Sequence, residues 1–352
     1  MFFLRMLGRT AFGMEFTDDG TENENNINGL EYLEVQGKGA SIRMKELGIP
    51  IRRWFFWDKE VQEGERCGRR LKEISQKMLK LYEQNEQRKS GDGGDGGGGG
   101  GGEQEMVGGK HKRQSIMQAI AHHAYPTENA RLADINVMTF AGHDTTGFSF
   151  CFLLMELGRH PEIRAKLQAE IATVMPRTAL GESGVGGEGG GADGGLKHGD
   201  VKLISAICGL EYLNQCIKEA MRLWPVAAIG SVRQLDKDLV WRDMVLPKGS
   251  SIRAHNFSMF REQWIDRPLE FLPERWGASN PQLSELKEMF MPFSLGKRAC
   301  IGQNMAMFQL RLVSAYFLHY FDFTVVGEPD FEYFITLKPV NLFLSVKERD
   351  QC

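Results

Sequence analysis

Phe293-Ser294-Leu295-Gly296-Lys297-Arg298-Ala299-Cys300-Ile301-Gly302 is the stretch on which the reading of this 352-residue chain turns. It reads F-x-x-G-x-R-x-C-x-G, and helical spacing follows it to about Tyr320. A thiolate, not a thiol, binds a metal ion. A cysteine just ahead of a helix meets free N–H groups and the positive end of the helix dipole, which favour the anion. Gly296 and Gly302 let the backbone turn tightly and approach a flat ligand. Arg298 offers a fixed cation for an acidic substituent of that ligand. A lone cysteine in this place reads as a small buried hydrophobe. The ten residues read together point instead to ligation by Cys300, with Phe293 beginning the loop.

Three further patterns lie ahead of the loop in the chain. Ala141-Gly142-His143-Asp144-Thr145-Thr146 falls in the middle of a long helical stretch, although Gly, Asp and Thr are all poor helix formers. Such a local conflict marks a functional distortion; the competing reading is a capping box. Glu219-Ala220-Met221-Arg222 is an E-x-x-R at i, i+3 spacing, which taken alone is no more than a surface ion pair contributing a few tenths of a kcal/mol, on the order of 0.2–0.5. Pro273-Glu274-Arg275-Trp276 stands between that helix and the cysteine loop.

In this order and spacing, with Glu219 and Cys300 81 residues apart, the four patterns resemble the cytochrome P450 family. The likeness runs from about Leu4 to Lys347. It implies a mainly α fold with a small β portion and haem b as cofactor, with Cys300 as the iron ligand. Phe293, Gly296, Arg298 and Gly302 would shape the haem site, and Arg233, in Ser231-Val232-Arg233-Gln234-Leu235, would supply a second cation for a propionate. It implies that Thr145 hydrogen-bonds dioxygen and Asp144 relays protons, at a widened turn of the helix that makes room for dioxygen, and that Glu219, Arg222 and Arg275 form a buried structural network. The thiolate would favour O–O cleavage. Electrons would come from NADPH through a reductase, and one atom of O2 would enter a hydrophobic substrate, lipid-like or xenobiotic. Phe140, Ala141, Val226 to Ile229, Ile335 and Thr336 are the expected pocket walls; an ordinary apolar core would look the same. The resemblance further implies the cytosolic face of the endoplasmic reticulum membrane, with peripheral contact through Ile49-Pro50-Ile51-Arg52-Arg53-Trp54-Phe55-Phe56-Trp57, where four aromatics stand beside two arginines. The alternatives are a non-catalytic haem-binding remnant, an incomplete fragment of such an enzyme, and an isomerase or dehydratase that uses no dioxygen, which Asp144-Thr145 disfavours.

Composition agrees with a chain able to bury a core: 42% of residues are hydrophobic and 25% charged. Lys and Arg total 43 against 46 Asp and Glu, a balance that argues against a nucleic-acid partner. None of the six cysteines forms a C-x-x-C pair, and no run of 18 apolar residues exists to span a membrane. Two Gly-rich tracts, residues 90–109 and 181–195, read as insertion loops in one partial domain covering 1–352, because poly-Gly buries no apolar surface. Helices are expected over Glu60–Gln87, from Thr127-Glu128 to about Gly158, from Pro161 onward, and over Leu210–Leu223 ahead of Trp224-Pro225. Short extended segments occupy Val226–Ala254, with a turn at Pro247-Lys248-Gly249. Arg9-Thr10-Ala11-Phe12-Gly13 resembles a helix about a third of the way into a complete family member, so the first helices and sheet strands are expected to be missing.

Overall fold

The computed structural model describes residues 1–23, 25–48, 57–91, 115–175 and 198–349. Most of both Gly-rich tracts and the aromatic-arginine stretch up to Phe56 lie outside those residues. The chain divides into two units, Met1–Asp144 and Thr145–Cys352.

In the first unit α1 (Phe2–Leu7) runs into a π turn over Gly8–Phe12 and stops at Gly13, whose φ of 66° suits glycine. β1 (Glu15–Thr17) pairs in parallel with β2 (Asn26–Asn28), in register Phe16 to Ile27. α2 (Gly29–Gly48) packs against α3 (Lys59–Gly91), on which Ile74, Met78, Leu79 and Leu81 are buried as their spacing requires. Arg70 on α3 ties these elements together by ion pairs to Glu22, Glu31 and Glu73. α4 (Ile116–His122) is capped by Ser115, whose hydroxyl accepts from the Gln118 N–H.

α5 (Glu128–Arg159) starts where the Thr127 hydroxyl accepts from the Ala130 N–H, and it continues into the second unit. It stays α-helical throughout. The widened turn expected at Gly142–Thr146 is therefore not formed, and the glycine there has a packing reason. A Cβ on Gly142 would lie 2.8 Å from both δ carbons of Leu7, so glycine is what lets α1 approach α5. The polar side chains beside it bond back along the helix: the Thr139 hydroxyl donates to the Ile135 carbonyl at 2.7 Å, and His143 Nδ1 meets the Thr139 carbonyl at 2.7 Å.

The second unit centres on α6 (Pro161–Ala172), α7 (His198–Gly209) and α8 (Glu211–Leu223). α6 begins with Pro at its first position, where a missing N–H costs nothing, and buries Ile163, Leu167 and Ile171. The N-terminus of α8 has no cap of its own. Glu170 of α6 fills that role, its two carboxylate oxygens accepting from the N–H groups of Tyr212 (2.8 Å) and Leu213 (2.9 Å). Four short strands follow, β3 (Arg233–Gln234), β4 (Leu239–Trp241), β5 (Met244–Leu246) and β6 (Ser251–Ile252), paired antiparallel as β3 with β6 and β4 with β5. Short helices α9 (Asn256–Met259) and α10 (Leu283–Met289) lead to α11 (Gln303–Tyr320), whose Leu310, Ala315 and Leu318 join the core formed by α6 to α8. β7 (Phe321–Val326) pairs with β10 (Phe343–Glu348), and β8 (Asp330–Tyr333) with β9 (Leu337–Val340).

Candidate functional site

Cys300 sits two residues ahead of Gly302, the N-cap of α11. Its loop is closed by the Cys300 N–H donating to the Phe293 carbonyl at 2.8 Å, and by the Ala299 N–H donating to the Gly296 carbonyl at 3.0 Å. Two left-handed residues make this turn possible, Ser294 at φ 60° and Gly296 at φ 72°. At Gly296 the glycine carries no strain; at Ser294 the conformation is uncommon, and the hydroxyl is held by the guanidinium of Arg233 at 3.1 Å. Phe293 packs against the main core, which anchors the start of the loop.

Cys300 is exposed, unlike the buried Cys67 and Cys216. Burial pushes the Cys216 thiol well above its ordinary value and raises those of Cys67 and Cys151 as well, which keeps them neutral and inert. The side chains around Cys300 are apolar yet uncovered: Leu295 is 62% exposed and Ile301 85%. Arg298 is exposed, and neither it nor Arg233 makes an ion pair among the described residues. A Cβ on Gly302 would come no closer than 3.9 Å to the thiol, so the glycine leaves the surroundings of the sulfur open. A soft donor, apolar side chains left uncovered and two guanidiniums without a carboxylate among the described residues fit a flat, largely apolar metal macrocycle carrying acidic substituents.

A closed ion network lies in the same unit, and its Trp276 ring meets Phe290, ahead of the loop, at 4.6 Å. Glu219 and Arg222 have no exposure at all and Arg275 is buried. The Glu219 carboxylate accepts from Arg222 Nε and Nη2 (both 2.9 Å), Arg275 Nε (2.7 Å), Trp276 Nε1 (2.9 Å) and the Leu272 N–H (3.0 Å). The remaining guanidinium nitrogens donate to main-chain carbonyls: Arg222 to Phe260, Pro268 and Glu270, and Arg275 to Asp266, Arg267 and Glu270. Trp276 and the Leu272 amide are members that sequence reading missed. Trp276 directly follows Arg275, and only the short 3-10 turn over Pro273–Trp276 brings both to one carboxylate.

The remaining candidates fall in two groups. Phe140, Ala141 and Asp144 belong to the first unit; Thr145, Val226, Ile229 and Ile335 belong to the second. Asp144 and Thr145 are half-buried and both have polar partners. His143, at the variable position of the motif, is buried against Tyr32 and Phe140, and burial lowers its basicity. Val226 is core, packed with Phe152, Met155, Ala228 and Leu337, while Ile229 is half-buried and Ile335 is 40% exposed. The Leu337 N–H donates to the Val226 carbonyl at 2.8 Å, which ties the β8–β9 hairpin to the residues after α8. Among the described residues no helix is long and apolar enough to cross a membrane, and no cluster of His, Cys, Asp and Glu could hold a metal ion.

Comparison with known proteins agrees with this architecture. The family model described as cytochrome P450 matches residues 1–346. Cytochrome P450 4d2 of Drosophila melanogaster is 32% identical over 220 residues, covering 61% of this chain and 39% of that protein. Cytochrome P450 3A12 of Canis lupus familiaris is 31% identical over 188 residues, covering 53% and 33%. The matches thus span about a third to two fifths of these relatives' own length. The crystal structure of a cytochrome P450 (CYP102L1) superposes with a TM-score of 0.72 at 21% identity, over 99% of this chain and 70% of that one.

Proposed function

Because the chain belongs to the cytochrome P450 family, we propose that it acts as a haem-thiolate monooxygenase, placing one oxygen atom of O2 into a hydrophobic substrate, lipid-like or xenobiotic. The observation that carries this reading is the Cys300 loop: an exposed thiol ahead of α11, in a loop with uncovered Leu295 and Ile301, and Arg298 and Arg233 free of ion pairs among the described residues.

Cys300 would ligate the iron of haem b through Sγ. Arg298 and Arg233 would each hold an acidic substituent, and Phe293, Gly296 and Gly302 would set the loop's approach. When bound through a thiolate, haem supplies the activation of O2, since the electron-rich sulfur favours O–O cleavage. The protein's own work is then orientation, exclusion of water and proton delivery. Thr145 offers a hydroxyl that can donate a hydrogen bond to an oxygen atom and be re-supplied with a proton. Asp144, beside it on α5, offers the carboxyl that brings protons in. Phe140, Ala141, Val226, Ile229 and Ile335 are the apolar groups assigned to hold the substrate. Glu219, Arg222 and Arg275 keep the backbone behind the loop fixed and touch neither substrate nor cofactor.

Electrons are assigned to an NADPH-dependent reductase, and the location to the cytosolic face of the endoplasmic reticulum with peripheral membrane contact. Both assignments are supported by the likeness to animal members of the family. The test is an optical spectrum of the expressed chain, reduced with dithionite and exposed to carbon monoxide. A red-shifted Soret band typical of thiolate ligation is the expected result. A band at the position of histidine or neutral-thiol ligation, or no haem uptake, would overturn the assignment.

A further inference from the structure

Trp224, the residue that ends α8, stands between two parallel rings. Phe152 of α5 lies 5.3 Å away with 7° between the planes, and Phe331 of β8 lies 4.6 Å away with 17°. The indole edge is fixed too, its N–H donating to Glu156 Oε1 on α5 at 2.7 Å. Glu156 is 5% exposed and has no ion-pair partner closer than His160 (3.6 Å) and Arg159 (3.7 Å). Arg261 closes the cluster, its guanidinium 5.4 Å from the Trp224 ring and 3.6 Å from that of Phe257. A helix stop needs none of this; Pro225 would suffice. The stack instead fastens β8, and the Leu337–Val226 hydrogen bond fastens β9, to the segment that follows α8.

We propose that Trp224 is a positioning residue for ligand binding: through Phe331 and Glu156 it locks the β8–β9 turn, which carries Ile335, to residues 226–229, which carry Ile229, so that these two accessible apolar side chains are held as one rigid unit. The assignment rests on the monooxygenase reading only for the kind of ligand. Offset aromatic pairs contribute beyond simple burial, and a half-buried indole N–H without its acceptor loses a hydrogen bond to a carboxyl group. Phe at 224 therefore keeps the stack and loses the bond, while Ala loses both. Gln at 156 keeps an acceptor for the indole N–H, and Ala at 156 does not.

The experiment is amide hydrogen exchange on the whole chain, followed separately for peptides covering 226–229, 333–340 and the α8 residues 211–220. Trp224→Ala should speed exchange at 226–229 and 333–340 together, by ten-fold or more, and leave 211–220 within two-fold of wild type. Trp224→Phe and Glu156→Ala should give a smaller joint rise, and Glu156→Gln should restore the wild-type rates. A rise in only one of the two wall peptides, or none in any variant, overturns the proposal. If Trp224→Ala does not fold, the Phe, Ala and Gln variants at 224 and 156 still decide the matter. In the haem-loaded chain, dodecanoic acid titrated as a Soret spin-state probe should bind about ten-fold more weakly to Trp224→Phe, with the carbon monoxide spectrum unchanged. Joint exchange without haem uptake would keep the bridge and remove the monooxygenase reading, so the two can fail separately.

Discussion

Around Glu219 every charged atom finds its partner inside the protein, whereas around Cys300 the guanidiniums have no ion pair among the described residues and the apolar side chains are uncovered. Both regions lie in one unit, and both were marked in the sequence by short patterns containing an arginine. What separates them is where the bonds go. A structural motif satisfies its polar groups internally, because a buried charge left alone is costly. A ligand site keeps donors and apolar surface in reserve. The same residue type thus means different things: Arg222 gives all three guanidinium nitrogens to protein acceptors, and Arg298 gives none to a carboxylate.

Substitutions can break that contrast. Cys300→Ala should abolish the thiolate carbon monoxide band completely while moving the denaturation midpoint of the haem-free chain by no more than about 0.5 kcal/mol, as for other exposed positions. A large loss of stability in that variant would mean that the thiol is a core element after all. Glu219→Ala should do the reverse, costing about 3–5 kcal/mol in urea denaturation by stranding Arg222 and Arg275. If it costs less than about 1 kcal/mol, the network is not as dry as its geometry states. Arg298→Gln should weaken haem binding roughly ten-fold, the scale of one charge-assisted hydrogen bond, with no change in haem-free stability. Thr145→Ala should load haem normally and release at least about twice as much hydrogen peroxide per electron pair consumed, a loss of under 1 kcal/mol in partition. Normal coupling in that variant would remove its assigned role.

The smallest effect concerns Glu156. Burial holds its carboxyl above the ordinary value of 4.5, more than the Trp224 hydrogen bond, His160 and Arg159 lower it. The folded state therefore binds this proton more readily than the unfolded state does. Its contribution to stability is full below the ordinary carboxylate value and is lost as pH rises through the raised one. Denaturation of wild type and Glu156→Gln between about pH 4 and 8 should show the wild type losing ground to the variant as pH rises. Parallel curves would mean that the carboxyl titrates alike in both states.

The legible parts of the molecule were those written in consecutive residues. The Cys300 loop, the start of α5 at Thr127, Pro161 opening α6 and Trp224-Pro225 closing α8 are all local patterns, and the structure places each within a residue or two of its expected position. The parts that could not be read depend on residues far apart in the chain. Trp276 lies 57 residues from the carboxylate it serves, and Trp224 lies 68 from Glu156. Gly142 shows the same limit from the other side. A glycine in a helix reads locally as a backbone distortion, but here it makes room for Leu7, whose arrival from α1 no local pattern announces.

The cap on α8 couples two helices. A 13-residue helix is marginal by itself in water, and the first turn of this one is completed by Glu170, which lies on α6 some 40 residues earlier in the chain. The start of α8 thus depends on α6 being in place, a coupling worth about 0.5–2 kcal/mol, the scale of one helix cap.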